Sequence, residues 1–116
     1  MILDDIKNKL KEVDNNVFYG AVDPRMREAI WDYTVFKRNN MSFSESKKAN
    51  GIYYTVAIVR ENFIPEGLEM TVMNKMLEIP GMRIAGTGGN YEYVPKPNTN
   101  NIVEMFTIDF VKPIKA

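Results

Sequence analysis

The chain has 116 residues, 45% hydrophobic and 26% charged, a composition that fits one soluble domain able to bury a core without disulfides or metals. Its 15 lysines and arginines are balanced by 15 aspartates and glutamates, so no net field draws it to nucleic acid or an anionic membrane, and any charge-based role is local. It contains no histidine and no cysteine, which removes the usual general base at neutral pH, the strongest neutral nucleophile, and most triads, dyads and zinc sites; no catalysis, cofactor or metal is expected.

The opening Met1-Ile2-Leu3-Asp4-Asp5-Ile6 is broken by acids and lacks a basic head, so neither a secretory signal nor a membrane span is expected there, and with no longer apolar run elsewhere a cytoplasmic protein is the plain expectation. Residues 2–13 carry Ile2, Ile6, Leu10 and Val13 at spacings of four, four and three, with Asp4 and Asp5 early and Lys9 and Lys11 late. That pattern predicts an amphipathic helix whose charges suit its dipole. Asp14-Asn15-Asn16 stops it, and Val17-Phe18-Tyr19-Gly20 reads as a short extended piece before the Asp23-Pro24 turn.

Residues 30–37, Ile-Trp-Asp-Tyr-Thr-Val-Phe-Lys, are aromatic and β-branched and predict a strand. Residues 38–50 are polar and aperiodic and read as a loop longer than most connections in a compact domain. The next strand is predicted from Gly51 or Ile52 to about Phe63. Twelve extended residues reach about 40 Å, whereas a compact chain of this length has a radius of gyration near 13 Å and so spans about 35 Å. The strand is therefore expected to cross the domain or overshoot it, and with its predecessor to form a hairpin projecting from the body, unless it bulges or ends early.

Pro65-Glu66-Gly67 opens a second helix with Leu68, Val72, Met76 and Leu77 on its core face, and Pro80-Gly81 ends it. Met82-Arg83-Ile84-Ala85 predicts a short strand, Gly86 to Asn90 a turn, Tyr91-Glu92-Tyr93-Val94 another strand, and residues 95–101 a further turn. In residues 102–112, Phe106, Ile108 and Phe110 alternate with Thr107, Asp109 and Val111, marking the phenylalanine side as the core face. The order predicts an α+β fold, a mostly antiparallel sheet with two helices packed on one face and a long β-hairpin. The sheet's other face is expected to carry Tyr53, Thr55, Glu61, Thr107 and Asp109.

Chemical motifs are sparse. Gly86-Thr87-Gly88-Gly89 lacks the lysine and the following helix of a phosphate loop and reads as a mobile turn. Asp32, Glu61, Glu104 and Asp109 would make an oxygen-ligand site for a hard cation only if neighbouring strands gathered them; pairing with Lys37 and Arg60, or solvation, is the plainer expectation. Lys37, Arg38, Lys47 and Lys48 bracket the polar stretch around Phe43, a modest basic patch for a nucleic-acid backbone that becomes a charged collar if copies surround an axis. Met70 and Met73 on the second helix are divided between core and interface.

Several segments together resemble the tail terminator, or tail-completion, proteins of long-tailed bacteriophages and prophages: Trp31-Asp32-Tyr33-Thr34-Val35-Phe36-Lys37-Arg38, Tyr53-Tyr54-Thr55-Val56-Ala57-Ile58-Val59-Arg60-Glu61, Ile64-Pro65-Glu66-Gly67, and Lys96-Pro97-Asn98-Thr99-Asn100-Asn101-Ile102-Val103-Glu104-Met105. The resemblance implies a virion protein of the tail or neck. Its α+β protomers would form a six-fold ring that caps the tail tube, meets the tube protein on one side and the head-connector protein on the other, and lets DNA pass through its lumen without sequence reading. Rings arise when heterologous contacts close by rotation. Interface residues are nominated from the residues themselves, on the 38–50 and 86–101 segments and the second helix: Lys37, Arg38, Phe43, Lys47, Lys48, Met70, Met73, Tyr91, Tyr93 and Lys96, with Trp31 as an anchor if it is exposed. Another head-tail joining protein is the nearest alternative. A small ligand-binding or regulatory domain, and a carboxylate-metal hydrolase, are the alternatives of other classes.

Overall fold

In the computed structural model, which describes residues 1–21, 31–46 and 48–114, the elements run α1 (Ile2–Lys11), β1 (Val17–Tyr19), β2 (Tyr33–Phe43), β3 (Ala49–Glu61), α2 (Leu68–Leu77), β4 (Arg83–Ile84), β5 (Asn90–Pro95) and β6 (Ile102–Pro113). The result is an α+β fold with two helices on one face of a six-stranded sheet. Every strand pairing is antiparallel except that of β1 with β2, which is parallel and makes the sheet mixed.

Helix α1 forms where the apolar spacing predicts it. Ile6 and Leu10 are buried, and Ile2 and Val13 pack at the margin of the same core. Its stop is an Asx turn, in which the backbone N–H of Asn16 donates to Asp14 Oδ1 at 3.0 Å, giving the chain an alternative to another helical turn. Helix α2 starts at Gly67, whose φ of +91° is left-handed backbone suited to glycine. Val72 and Met76 are buried and Leu68 and Met73 pack beside them, whereas Leu77, expected on the core face, is 41% exposed.

The core lies between the helices and one face of the sheet. Phe36 of β2, Tyr54, Val56 and Ile58 of β3, and Phe106, Ile108 and Phe110 of β6 meet Ile6, Leu10, Val72 and Met76. Each such side chain contributes about 1.5–3 kcal/mol by leaving water. The register Phe36↔Val56↔Ile108 aligns three buried residues across three strands, so a slip by one residue would turn the whole row outward.

The polar stretch 38–50, expected as a loop, is mostly strand. β2 runs on to Phe43, β3 begins at Ala49, and Ser44 N–H closes the tip by donating to the Lys48 carbonyl at 2.9 Å. Along β2, register shifts fall between Arg38 and Asn40 and between Ser42 and Phe43. Such bulges bend and twist a hairpin without ending it. Residue 30, the expected start of this strand, lies outside the described residues, and Trp31 and Asp32 precede the strand. The hairpin does not project alone: β6 accompanies β3 as far as Gly51, opposite Pro113, so only the tip passes beyond the three-stranded sheet of a molecule 52 × 29 × 26 Å in extent.

Between β4 and β5 one glycine, Gly89, makes a close approach. A Cβ on Gly89 would lie 2.3 Å from the Phe106 ring, so this position is a packed crossing over a core aromatic and not merely a turn. That crossing delivers β5 to the sheet edge, where Tyr91 stands opposite Phe106 with ring centroids 4.9 Å apart.

Candidate assembly surfaces

Three surfaces collect the side chains that the core does not use. The first is the distal part of β2 with the hairpin tip. Met41 and Phe43 are 46% and 62% exposed there, and Arg38 and Lys48 are exposed beside them. A hollow of about 350 Å³ lies next to the bulge, lined by Arg38, Asn39, Asn40, Met41 and Ile52. Ile52 and Tyr54 pair with Met41 and Arg38, which places those two side chains on the helix side of the sheet. Lys47 lies outside the described residues.

The second surface is the edge strand β5, exposed along its whole length. Tyr91 and Tyr93 stand opposite Phe106 and Glu104 on the helix side, and Glu92 points to the other side. The Tyr91 hydroxyl donates to Glu69 Oε2 of α2. That carboxylate favours the neutral phenol, and the Tyr91 pKa is pushed up from 10.0 to about 12. The Glu104 carboxylate raises Tyr93 in the same way. Because the hydrogen bond holds the protonated phenol, it is fully present below pH 10 and is lost as the pH rises toward 12. Subtracting a Tyr91→Phe titration from that of the native chain is expected to leave a tyrosinate absorbance step near pH 12. Glu69→Gln is expected to return the step toward pH 10; a native step already there would disprove the contact.

The third surface is the face of the sheet opposite the helices. Among the described residues no helix covers it, and it carries Tyr53, Thr55, Glu61, Thr107 and Asp109 as expected, together with Tyr33, Val35, Lys37, Ala57, Val59 and Met105. A trough of about 530 Å³ runs over it, bordered by Trp31 and Lys37 and floored mainly by Val35, Ala57, Val59 and Met105. At one end Lys96 Nζ lies 2.7 Å from Glu61 Oε1, Asn101 Nδ2 donates to Glu61 Oε2 at 2.7 Å, and the same ammonium sits 5.8 Å from the Trp31 ring centroid. Lys96 and Asn101 hold the Glu61 carboxyl below the usual carboxylate range. The cluster ties the β5–β6 turn to the end of β3.

The nominated residues are therefore dispersed over separate surfaces. Trp31 is half-buried against Lys96 and does not meet the condition for an exposed anchor. Lys96 is engaged by Glu61. Met73 packs against the core, whereas Met70 is 56% exposed. The four strand acids do not converge. Asp32 Oδ1 accepts the Glu61 N–H, Glu61 binds Lys96, Glu104 Oε1 accepts the Ile64 N–H at 2.7 Å, and Asp109 Oδ1 accepts the Thr55 hydroxyl at 2.6 Å. Among the described residues no three acids gather as a metal site, so the proposed hydrolase centre is not assembled from them. Arg60, expected to pair with a strand acid, instead binds Asp14 at 2.8 Å.

Sequence reasoning missed Met41 and Glu69. The signal for Met41 was an apolar residue inside a polar run, and for Glu69 an acid in the first turn of α2. No protein-family model matches the chain, and no curated protein is significantly similar to it.

Proposed function

We propose that this protein is a non-enzymatic assembly protein of the tail-terminator type. Copies close into a ring, of six by the family's pattern, that caps the tail tube of a long-tailed phage or prophage and offers the head connector a docking surface. The observation that carries this reading is the β2–β3 hairpin, whose distal end holds Met41 and Phe43 exposed beside Arg38 and Lys48 in a molecule 52 Å long. Exposed apolar side chains at the distal end of an edge strand are costly to leave in water and suit contact with a neighbour. A basic strand end repeated around an axis also suits a lumen through which DNA passes by charge alone. The same observation supports another ring-forming joining protein of the neck.

The test is the mass in solution across a wide concentration range, by light scattering on a sizing column, with the fractions viewed by negative stain. Closed rings are expected. Deleting residues 41–48 is expected to leave a folded monomer whose thermal unfolding stays cooperative, because the described side chains among them lie outside the core, while abolishing rings and tail joining. A native chain that stays monomeric and leaves purified tail tubes uncapped overturns the reading.

A second reading, a small ligand-binding domain, draws on one feature, the trough of about 530 Å³ on the sheet face opposite the helices, whose volume falls within the range of small-molecule sites. Its polar groups are few, and Thr55 is already bonded to Asp109. Saturable binding of a small apolar probe that Val35→Trp abolishes would favour it.

A further inference from the structure

We propose that the contact between copies is a strand pairing, in which β5 of one copy lies antiparallel along the distal half of β2 of the next and continues the sheet from subunit to subunit. The inference rests on the ring reading and specifies which surfaces meet. Among the described residues, β5 pairs only with β6, and β1 covers β2 only from Thr34 to Phe36. Among the described residues the stretch Lys37–Phe43 and the strand Asn90–Pro95 are thus open edges of similar length on opposite margins of one sheet. Open edges are templates for another chain, and a short, strongly charged or bulged edge resists such pairing. Here β2 does carry a bulge between Arg38 and Asn40, but the stretch beyond it, Asn40 to Ser42, keeps a regular register that a second strand can follow.

The two edges complement each other. From residue 37 to residue 44 the β2 edge holds Lys37 and Arg38 and no acid, while β5 holds Glu92 and no basic residue, with Glu69 and Glu104 beside its tyrosines. On the helix side, β5 presents Tyr91 and Tyr93, 49% and 61% exposed, and β2 presents Met41, Arg38 and the hollow between them. Tyrosine entering a pocket beside arginine and methionine is the composition of a binding hot spot. The opposite arrangement, β2 against β2 about a two-fold axis, would bring the basic edges together.

Strand direction agrees. β2 and β6 run one way and β3 and β5 the other, so copies related by rotation about an axis along the strands bring β5 and β2 together antiparallel. The edges are also offset. Glu92 lies level, through Met105 and Val59, with Tyr33, whereas the open part of β2 centres near Asn40. Seven residues of offset, one of them in the bulge, is about 20 Å along the strand. A ring closes with that offset only if its strands incline to the axis, as the strands of a sheared barrel do; upright strands would wind into a filament.

Because the chain has no cysteine, single cysteines test the pairing directly. Asn40→Cys, Met41→Cys and Ser42→Cys would be mixed in turn with Tyr91→Cys, Glu92→Cys and Tyr93→Cys under mild oxidation. A disulfide needs Cα atoms roughly 4.4–6.8 Å apart, which facing residues of neighbouring strands satisfy. Disulfide-linked dimers in mixtures of a β2 variant with a β5 variant, and their loss when either is oxidised alone, are expected. Cross-linking of β2 variants with themselves would establish a two-fold contact and overturn the proposal. Native assembly that yields no cross-link with any pair would overturn the strand pairing and leave the ring reading intact. A native chain monomeric at every concentration would overturn the pairing, with the ring reading then decided by tube capping.

Discussion

Replacing Asp14 with alanine is expected to lower stability by about 3–5 kcal/mol, the cost of leaving a buried charge without its partner. Asp14 is 8% exposed, and its carboxylate serves three groups from different parts of the chain. Oδ2 accepts the Thr34 hydroxyl at 2.8 Å and Arg60 Nη2 at 2.8 Å, and Oδ1 accepts the Asn16 N–H at 3.0 Å. Arg60 meanwhile donates Nη1 to the carbonyls of Tyr33 and Val59 at 3.2 and 2.8 Å. The network joins the end of α1 to the start of β2 and the end of β3. Alanine would remove the Asx turn and strand the guanidinium between strands, with the Thr34 hydroxyl unpaired. Asp14→Asn, which keeps hydrogen bonds but not the charge, is expected to cost about half as much. Adding Arg60→Met to Asp14→Ala should recover part of the loss by removing the orphaned charge. Urea unfolding of the four proteins checks the series. A loss below about 1 kcal/mol for Asp14→Ala would show the network to be screened like an ordinary surface pair.

How far the fold was legible depended on whether an element has one wet face and one dry one. α1 and β6 do, and their periods of 3.6 and 2 showed the buried sets Ile6 and Leu10, and Phe106, Ile108 and Phe110. The distal hairpin is exposed on both faces from Lys37 to Met41, so nothing imposed alternation on its residues and the polar stretch read as a loop. Its bulge shifts the register besides. On α2, Leu77 stands about 180° from Leu68 at 100° per residue and Met73 about 140°, so the stripe centred on Val72 and Met76 takes Met73 before Leu77. The candidate surfaces were legible only in part. Phe43, Tyr91 and Tyr93 announced themselves as aromatics in polar settings, but the partners that decide availability are distant in sequence. Glu61 takes Lys96 out of play, and Trp31 is covered by that same lysine. Nor does any local pattern encode the parallel pairing of β1, which follows from where α1 leaves the chain.

Two phenylalanines on β2 are expected to behave in opposite ways. Phe36→Ala should cost about 3–5 kcal/mol, because the ring is 2% exposed and its removal opens a cavity among Val56, Tyr54 and Tyr19. Phe43→Ala should cost no more than about 0.5 kcal/mol, since a side chain 62% exposed loses little on truncation. Association should reverse the order. Phe43→Ala is expected to fold like the native chain and to shift ring formation to at least about tenfold higher concentration, equivalent to roughly 1.4 kcal/mol at each contact. Phe36→Ala, at temperatures where it remains folded, is expected to assemble at the native concentration. Thermal unfolding and light scattering on the same samples separate the two effects. If Phe43→Ala destabilised the monomer as much as Phe36→Ala does, the distal strand would belong to the core. If it altered neither stability nor assembly, its exposed ring would be incidental and the hairpin would not be the arm that reaches a neighbour. The expected split follows from where the strand runs: its first residues have a helix layer to pack on, and its last are largely open to water or another molecule.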